Sequence, residues 1–334
     1  VTPGVSSALS SAHTAWVAEN LLRGVLPARL VATLVAAEVP EDVAAREVDA
    51  IARSPVLAGA VPLAREARRL ALIVRLQREM AAQSPFFREI ERRADVAPDE
   101  FFARYVAGST PVVLTEPVRR WPAFGRWTPE FFRDHYGDVS IDIVDGRDAD
   151  PDYDRHTPAH TRTVTMRAYV ERILAAGETN DFYAVAQNRN LDRDALQPLW
   201  ADLALPEGIL DARRSRGCAA LWLGPAGTVT PLHHDTSNIL FAQLHGRKRF
   251  VLAAPTETAL LEGATGVYAG ADPERLGAID ADVRFLHVDL APGEMLFLPV
   301  GWWHHVRALD VSVSVALNGF VKPNAFDWYR PGQL

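Results

Sequence analysis

From Cys218 onward the sequence is a series of short apolar runs, AALWLG, NILFAQL, KRFVLAAP, VRFLHVDL, EMLFLPV and VSVSVALNGF, each cut off by Gly, Pro or Asp. Several short strands at such spacing predict a barrel or jelly roll rather than a parallel sheet. No GxGxxG or GKS/T loop interrupts them, which removes the usual nucleotide-binding folds. The expected fold class is therefore mainly β.

The 334-residue length leaves room for a second domain. The amino-terminal part reads as helices. Ser11 is placed to cap a helix through Leu22 that Gly24 ends. Pro27 opens a second, with Leu30, Leu34 and Ala37 on one face and Pro40 ending it. A third covers Glu41 to Ala52. The longest is expected after Pro62, where Leu63, Ala67, Leu70 and Val74 recur at helical spacing. Its other face carries Arg65, Arg68, Arg69 and Arg75, read as a solvated surface rather than a docking one. The composition changes after AAQSP (81–85). A helical stretch through Arg93 leads to DEFFARYVAG, then a buried strand at Val112, Val113 and Leu114, and a short helix capped by Thr128. A strand in VSIDIVDG, a polar loop over 145–164, a helix in TMRAYVERILAAG and a strand in FYAVAQ follow. The expected division is an α-helical domain over 1–95, for recruitment or dimerisation, and a catalytic β domain over 96–334.

With 48% hydrophobic and 23% charged residues the chain can bury a core, and disorder as its dominant state is excluded. Its 35 Lys+Arg against 42 Asp+Glu leave a net charge of −7, which argues against a broad nucleic-acid-binding face. Cys218 is the sole cysteine, so there is no internal disulfide framework and a reducing compartment suits the chain. No apolar run reaches the ~18 residues of a membrane span. The opening VTPGVSSALSSAHTAWVAEN lacks the basic start and apolar stretch of a secretory signal. The expectation is a soluble cytoplasmic protein with no membrane and no nucleic-acid partner.

The chemistry concentrates in TVTPLHHDTSNILFAQLHGRKRF (228–250). On an extended segment His233 and Asp235 point the same way and His234 the opposite way. An imidazole and a carboxylate so placed can hold two adjacent positions of a metal ion. LFLPVGWWHHVRAL (296–309) offers a third ligand from another strand, His304 or His305. Two His and one carboxylate on one face form the facial triad of non-haem Fe(II) oxygenases, which leaves three positions open for a cosubstrate and O2. In the polar loop, Asp148, Asp150, Asp152 and Asp154 make a Ca2+ site conceivable. The Gly and distal Glu of an EF-hand loop are not where that motif requires them, so a solvated loop is expected.

The segments from about Asp99 to Phe320 resemble the cupin-like branch of the JmjC-domain 2-oxoglutarate oxygenases, the group that includes the factor-inhibiting-HIF asparaginyl hydroxylase. The resemblance rests on FFARYVAGSTPVVL…WP…RWTPEFF, TPLHHD, FAQLHGRKRF and PGEMLFLPVGWWHHV. It implies a double-stranded β-helix, the jelly roll of cupins, with Fe(II), 2-oxoglutarate and O2 as the reacting set. His233, Asp235 and His304 match the iron-ligand positions, the PxxWxH signature selecting His304 over His305. Thr230 and Lys248 match the residues that hold the far carboxylate of 2-oxoglutarate, and Tyr183 matches a tyrosine that also reaches it. A buried dicarboxylate needs a cation, which Lys248 would supply.

The sequence also departs from the pattern. Where relatives often carry Asn six residues after the first ligand, this chain has Ile239; Asn238 lies one residue earlier and reaches the cosubstrate only if the backbone bulges. Another Asn position is Ala316, and Asn318, on the same face, is the expected substitute. His234 and His305 are expected to pack or line the entrance, and Trp302 and Trp303 to brace His304.

The reaction implied is hydroxylation of a C–H bond with release of succinate and CO2, the substrate being an amino-acid side chain of a protein or peptide. Other readings are hydroxylation of a small molecule or free amino acid, N-methyl-lysine demethylation, a silent cupin-like binding protein, and a Zn2+ or Mn2+ cupin enzyme. Relatives often dimerise through helices after the barrel. As the sequence stops at Leu334, soon after its last strand, any homodimer is expected to use the amino-terminal helices.

Overall fold

The computed structural model describes residues 8–261, 267–270, 272–274 and 283–326. The chain end at Leu334, and the first seven residues of the stretch read for a signal, lie outside them. Two compact units divide between Ala81 and Ala82.

The first unit has four helices among its described residues: α1 (Ser11–Leu22), α2 (Pro27–Ala36), α3 (Glu41–Ala52) and α4 (Pro55–Ala81). Val17, Leu30, Leu34, Ala44 and Val48 form its small core. The cap of α1 is Ser10, one residue before the expected Ser11; its Oγ accepts from the His13 backbone N–H at 3.1 Å. Helix α4 starts at Pro55, not after Pro62. Ser54 precedes it with Oγ accepting from the Val56 N–H at 3.2 Å, and Pro62 is carried inside the helix. A proline first residue behind a serine is a strong start signal, because the missing N–H is one the first turn cannot satisfy anyway. Helix α4 buries none of its side chains, and Leu63, Leu70, Leu72, Ile73, Leu76 and Met80 are exposed.

The second unit is built on strands. In chain order the first seven are β1 (Glu91–Arg93), β2 (Val112–Leu114), β3 (Ser140–Asp145), β4 (Thr161–Thr165), β5 (Phe182–Tyr183), β6 (Ala220–Gly224) and β7 (Val229–His233). The others are β8 (Ile239–His245), β9 (Lys248–Ala253), β10 (Leu286–Leu290), β11 (Met295–Leu298), β12 (Trp303–Ala308) and β13 (Ser312–Leu317). One sheet has the order β1-β2-β11-β8-β13-β6, a second β10-β9-β12-β7, and a small third β4-β3-β5. The pairing is antiparallel except for β1 with β2. This is the jelly roll expected from the late apolar runs.

Two expectations need correction here. The helical stretch through Arg93 ends in a strand, because Glu91–Arg93 pairs with Val112–Leu114. Tyr105 Oη donates to Glu91 at 2.9 Å and Arg93 donates to Glu100 at 2.9 Å, so residues 91–93 are held by partners distant in sequence. The boundary expected at 95 therefore moves back to 81. The stretch 145–164 is also not all loop: a short helix covers Thr157–His160, and Thr161–Thr165 pairs with β3. Within it Asp150 accepts from His156 and His160 at 2.7 and 3.0 Å, which spends that carboxylate on imidazoles.

The main core lies under the six-stranded sheet, where Phe101, Phe297 and Phe320 pack ring to ring with centroids 4.9 to 6.2 Å apart. A second apolar cluster, with Phe241, Phe250, Leu252, Leu296 and Val306, fills the space between the two larger sheets. That packing leaves the open end of the sandwich to the residues that follow.

Candidate metal centre and cosubstrate pocket

Strands β7 and β12 are neighbours, and their register sets His304 directly opposite His233. The two imidazole centroids are 4.1 Å apart. His233 Nδ1 lies 2.8 Å from the Pro231 carbonyl oxygen, and His304 Nδ1 lies 2.9 Å from that of Trp302. A carbonyl only accepts, so each Nδ1 carries the proton and each Nε2 presents its lone pair, the arrangement found at metal-ligating histidines. Asp235 Oδ2 is 3.4 Å from His304 Nε2. One ligand atom from each of His233, Asp235 and His304 lies within 4.8 Å of the others. The turn Pro299–Val300–Gly301 delivers His304: Gly301, at φ 78°, donates its N–H to the Asp235 carbonyl at 3.0 Å. A left-handed residue is needed there, which favours glycine.

The protonation states suit a metal. Burial, followed by the charge of His304, pushes the His233 imidazole down, so it is neutral at neutral pH. Burial would raise the Asp235 carboxyl, but the neighbouring imidazoles, His304 foremost, outweigh it and bring it to about 2. Neutral imidazoles and an ionised carboxylate are the forms that ligate, and this donor set fits Fe(II).

A bulge in β7 completes the wall. His304 pairs with His233, but Val306 pairs with Thr230, so β7 carries one extra residue around Pro231. On a regular strand Thr230 and His233, three apart, would face opposite sides. With the bulge both line one cavity of about 470 Å³.

Lys248, at the start of β9, is 1% exposed and lies in the same cavity. Its Nζ donates to Tyr183 Oη at 2.7 Å, and the rings of Phe241, Tyr183 and Trp222 stand 5.1, 5.4 and 5.6 Å away. Burial pushes the ammonium down to about 7. Tyr183, buried beside it, has its phenol pushed up by burial and stays protonated. Gly224 permits this packing, since a Cβ there would come within 2.5 Å of the Tyr183 ring. A cation in such a wall calls for an anion, and the carboxylate of a dicarboxylic acid fits.

Asn238 and Asn318 part company. Asn238 Oδ1 accepts from the Val300 N–H at 2.9 Å, its Nδ2 donates to Asn324 Oδ1 at 2.8 Å, and it is not among the residues lining the cavity. Its amide holds the turn before His304, which corrects the cosubstrate contact expected of it. Asn318 does line the cavity, and its Oδ1 is buried without a hydrogen-bond partner among the described residues. Trp222 Nε1 is likewise buried and unpartnered in the same wall. Strand alternation could have found it: in ALWLG, Leu221 and Leu223 enter the core, which turns Trp222 to the other face. Of the two bracing tryptophans, Trp302 Nε1 donates to the Ser109 carbonyl at 2.9 Å and Trp303 Nε1 to Thr258 Oγ1 at 2.8 Å. His234 packs edge-on against Trp303, with centroids 4.7 Å apart, and His305 turns to the far side of β12.

Residues 98–324 match the family described as the cupin-like domain. The chain belongs to the cupin-like JmjC family of 2-oxoglutarate oxygenases. It is similar to Lysine-specific demethylase 8 of Xenopus tropicalis, 27% identical over 230 residues, which are 65% of this chain and 50% of that protein. Jumonji C domain-containing protein 5 of Drosophila melanogaster is 28% identical over 234 residues, covering 65% of this chain and 56% of its own length. HSPB1-associated protein 1 of Bos taurus is 32% identical over 136 residues, 37% of this chain and 26% of that protein. The chain spans about half the length of the first two relatives. These relatives specify the JmjC family and not the factor-inhibiting-HIF branch within it. JmjC oxygenases use Fe(II), 2-oxoglutarate and O2, and the donor set described above has the right composition for them.

Proposed function

We propose that this JmjC chain is an Fe(II)- and 2-oxoglutarate-dependent hydroxylase of a side chain in a protein or peptide. The observation that carries the reading is one cavity holding both a His233–Asp235–His304 cluster and a buried Lys248–Tyr183 pair. Bound iron would supply the activation of O2 that drives oxidation of a C–H bond, 2-oxoglutarate being converted to succinate and CO2. His233, Asp235 and His304 would hold the metal, their Nδ1–H groups fixed by backbone carbonyls. Lys248, Thr230 and Tyr183 would hold the far carboxylate, with the Asn318 amide and the Trp222 N–H as further polar groups on the wall. The apolar surroundings of Lys248 keep water from competing for that carboxylate. Asp154 and Tyr268 line the cavity too, as do Asp192 and Arg189, which pair with each other at 2.7 Å.

A second reading rests on the names of two relatives as lysine-specific demethylases, in Xenopus tropicalis and Arabidopsis thaliana. Demethylation starts with the same C–H oxidation, since a hydroxylated N-methyl group collapses to formaldehyde. The deciding experiment is anaerobic loading with Fe(II) and 2-oxoglutarate, followed by O2 and a panel of unmodified and N-methylated peptides. The expected outcome is a weak visible charge-transfer band on loading, lost in His304→Ala, and then succinate release with a product one oxygen heavier. Formaldehyde with loss of a methylene mass would select demethylation. Absence of the band with iron bound would remove both.

The homodimer through the helical unit belongs to the same proposal. The exposed apolar side chains of α4 support it, and a monomeric mass at micromolar concentration would sink it. A cytoplasmic location is part of it as well, resting on the unpaired Cys218.

A further inference from the structure

We propose that Asp272, Glu274 and His305 form a second metal site, for Zn2+, on the face of β12 opposite the His233–Asp235–His304 triad. One ligand atom from each of the three lies within 4.8 Å of the other two. The His-His doublet makes this possible, because consecutive residues of a strand face opposite sides. His304 turns to the iron cavity and His305 turns away from it. The Asp-Pro-Glu segment brings the carboxylates together, with Asp272 Oδ1 accepting from the Glu274 N–H at 2.9 Å.

The cluster is built around a buried imidazole. His305 is 2% exposed, and its buried Nδ1 has no hydrogen-bond partner among the described residues. The ring turns its other nitrogen to the carboxylates, and Nδ1 is left to carry the proton. Its Nε2 faces Asp272 Oδ1 at 3.8 Å, too far for a hydrogen bond. That separation is close to the roughly 3.4 Å between two ligands of a tetrahedral zinc ion with bonds of about 2 Å. One imidazole and two carboxylates are a donor set zinc accepts. Arg307 Nε donates to Glu274 Oε2 at 2.5 Å. That contact engages one of the two carboxylate oxygens and orients the group, as outer partners of metal ligands do. A cavity of about 590 Å³, lined by Asp272, His305 and Arg307, gives an ion access.

The position gives the ion a task. Residues 267–270, which precede Asp272 in the chain, lie along the end of β7, with His234 N–H donating to the Val267 carbonyl at 2.9 Å and Ala269 N–H to that of Leu232 at 3.0 Å. Tyr268, between them, bridges to His233 and lines the iron cavity. Zinc bound to Asp272, Glu274 and His305 therefore pins the segment carrying Tyr268 against β12, and stiffens one wall of the oxygenase site from behind.

The test is metal counting on the full chain, stripped with chelator, loaded with Zn2+ and desalted. Wild type retains two ions, His305→Ala one, Asp272→Asn/Glu274→Gln one, His304→Ala one, and His304→Ala/His305→Ala none. Hydrogen exchange at 267–270 in His304→Ala slows on addition of Zn2+. Should His305→Ala fail to fold, the Asp272→Asn/Glu274→Gln pair decides, since it keeps side-chain shape. A single ion in wild type, or two in either the His305→Ala or the carboxylate variant, overturns the second site. Failure of the iron triad shows separately, as a His304→Ala variant with the wild-type count.

Discussion

His304 and His305 are adjacent in the chain, and β12 sets them in opposite surroundings. On one face, His304 and His233 each give Nδ1–H to a backbone carbonyl, which fixes both tautomers, and His304 Nε2 lies 3.4 Å from Asp235. Each imidazole has Nδ1 satisfied by the backbone and Nε2 left open for a metal. On the other face, His305 Nδ1 has no partner among the described residues, and Glu274 is already paired with Arg307. Similar donors thus make a preorganised centre on one side and a less finished one on the other. The difference lies in the hydrogen bonds behind the ligands rather than in the ligands themselves.

Removing a histidine from each face gives the sharpest break in that comparison. His304→Ala is expected to lose iron from the triad and to lower succinate release by at least about a thousandfold. His305→Ala is expected to keep the full complement of iron, measured by metal analysis after Fe(II) loading. Equal loss in both would mean that the two faces act as one site.

The cosubstrate end of the cavity comes next. Lys248→Met is expected to raise the dissociation constant for 2-oxoglutarate about 100-fold, in line with the roughly 2–5 kcal/mol lost when a buried charge loses its partner. Anaerobic calorimetry measures it directly; a change under threefold would take Lys248 off the cosubstrate.

The same lysine sets a pH dependence. Burial lowers its pKa from 10.5 to about 7 in the free protein, so above pH 7 binding a carboxylate must take up a proton. Affinity for 2-oxoglutarate then falls by up to about tenfold per pH unit above 7. The sign for folding is the reverse. Between pH 7 and 10.5 the unfolded chain holds more protons on this group than the folded one, so the ligand-free protein gains stability as pH rises through that window. Melting temperatures at pH 7 and 9 should show this gain in wild type and less of it in Lys248→Met.

A smaller effect separates the two asparagines. Asn238→Ala is expected to lower stability by about 1–3 kcal/mol through the lost bonds to Val300 and Asn324. It should leave the 2-oxoglutarate constant within about twofold, because the amide faces the turn. Asn318→Ala should do the opposite, with a weaker cosubstrate and an almost unchanged melting temperature. If Asn238→Ala weakens the cosubstrate tenfold, the original expectation for that residue returns.

What the sequence determined by itself was chemistry carried by residue type and close spacing. Short apolar runs between turn residues implied the jelly roll, and alternation put His233 and Asp235 on one face of β7 and its continuation. In the His-His doublet of β12, the PxxWxH signature of the resembled family singled out His304, which lies opposite His233. Helices α2 and α3 were legible because their limits are set by local prolines and apolar periodicity. Tertiary structure decided whatever depends on partners far along the chain. The strand at Glu91–Arg93 exists because Val112–Leu114 lies beside it, and no local pattern announces that pairing. Asn238 turned out to hold Val300 and Asn324, residues 62 and 86 positions away. Asp272 and Glu274 met His305 only once strands and loops had been brought together. The bulge at Pro231 shows the reason most clearly. Thr230 and His233 face the same cavity because β7 carries one residue more than β12, and a register of that kind belongs to a pair of strands, not to either sequence alone.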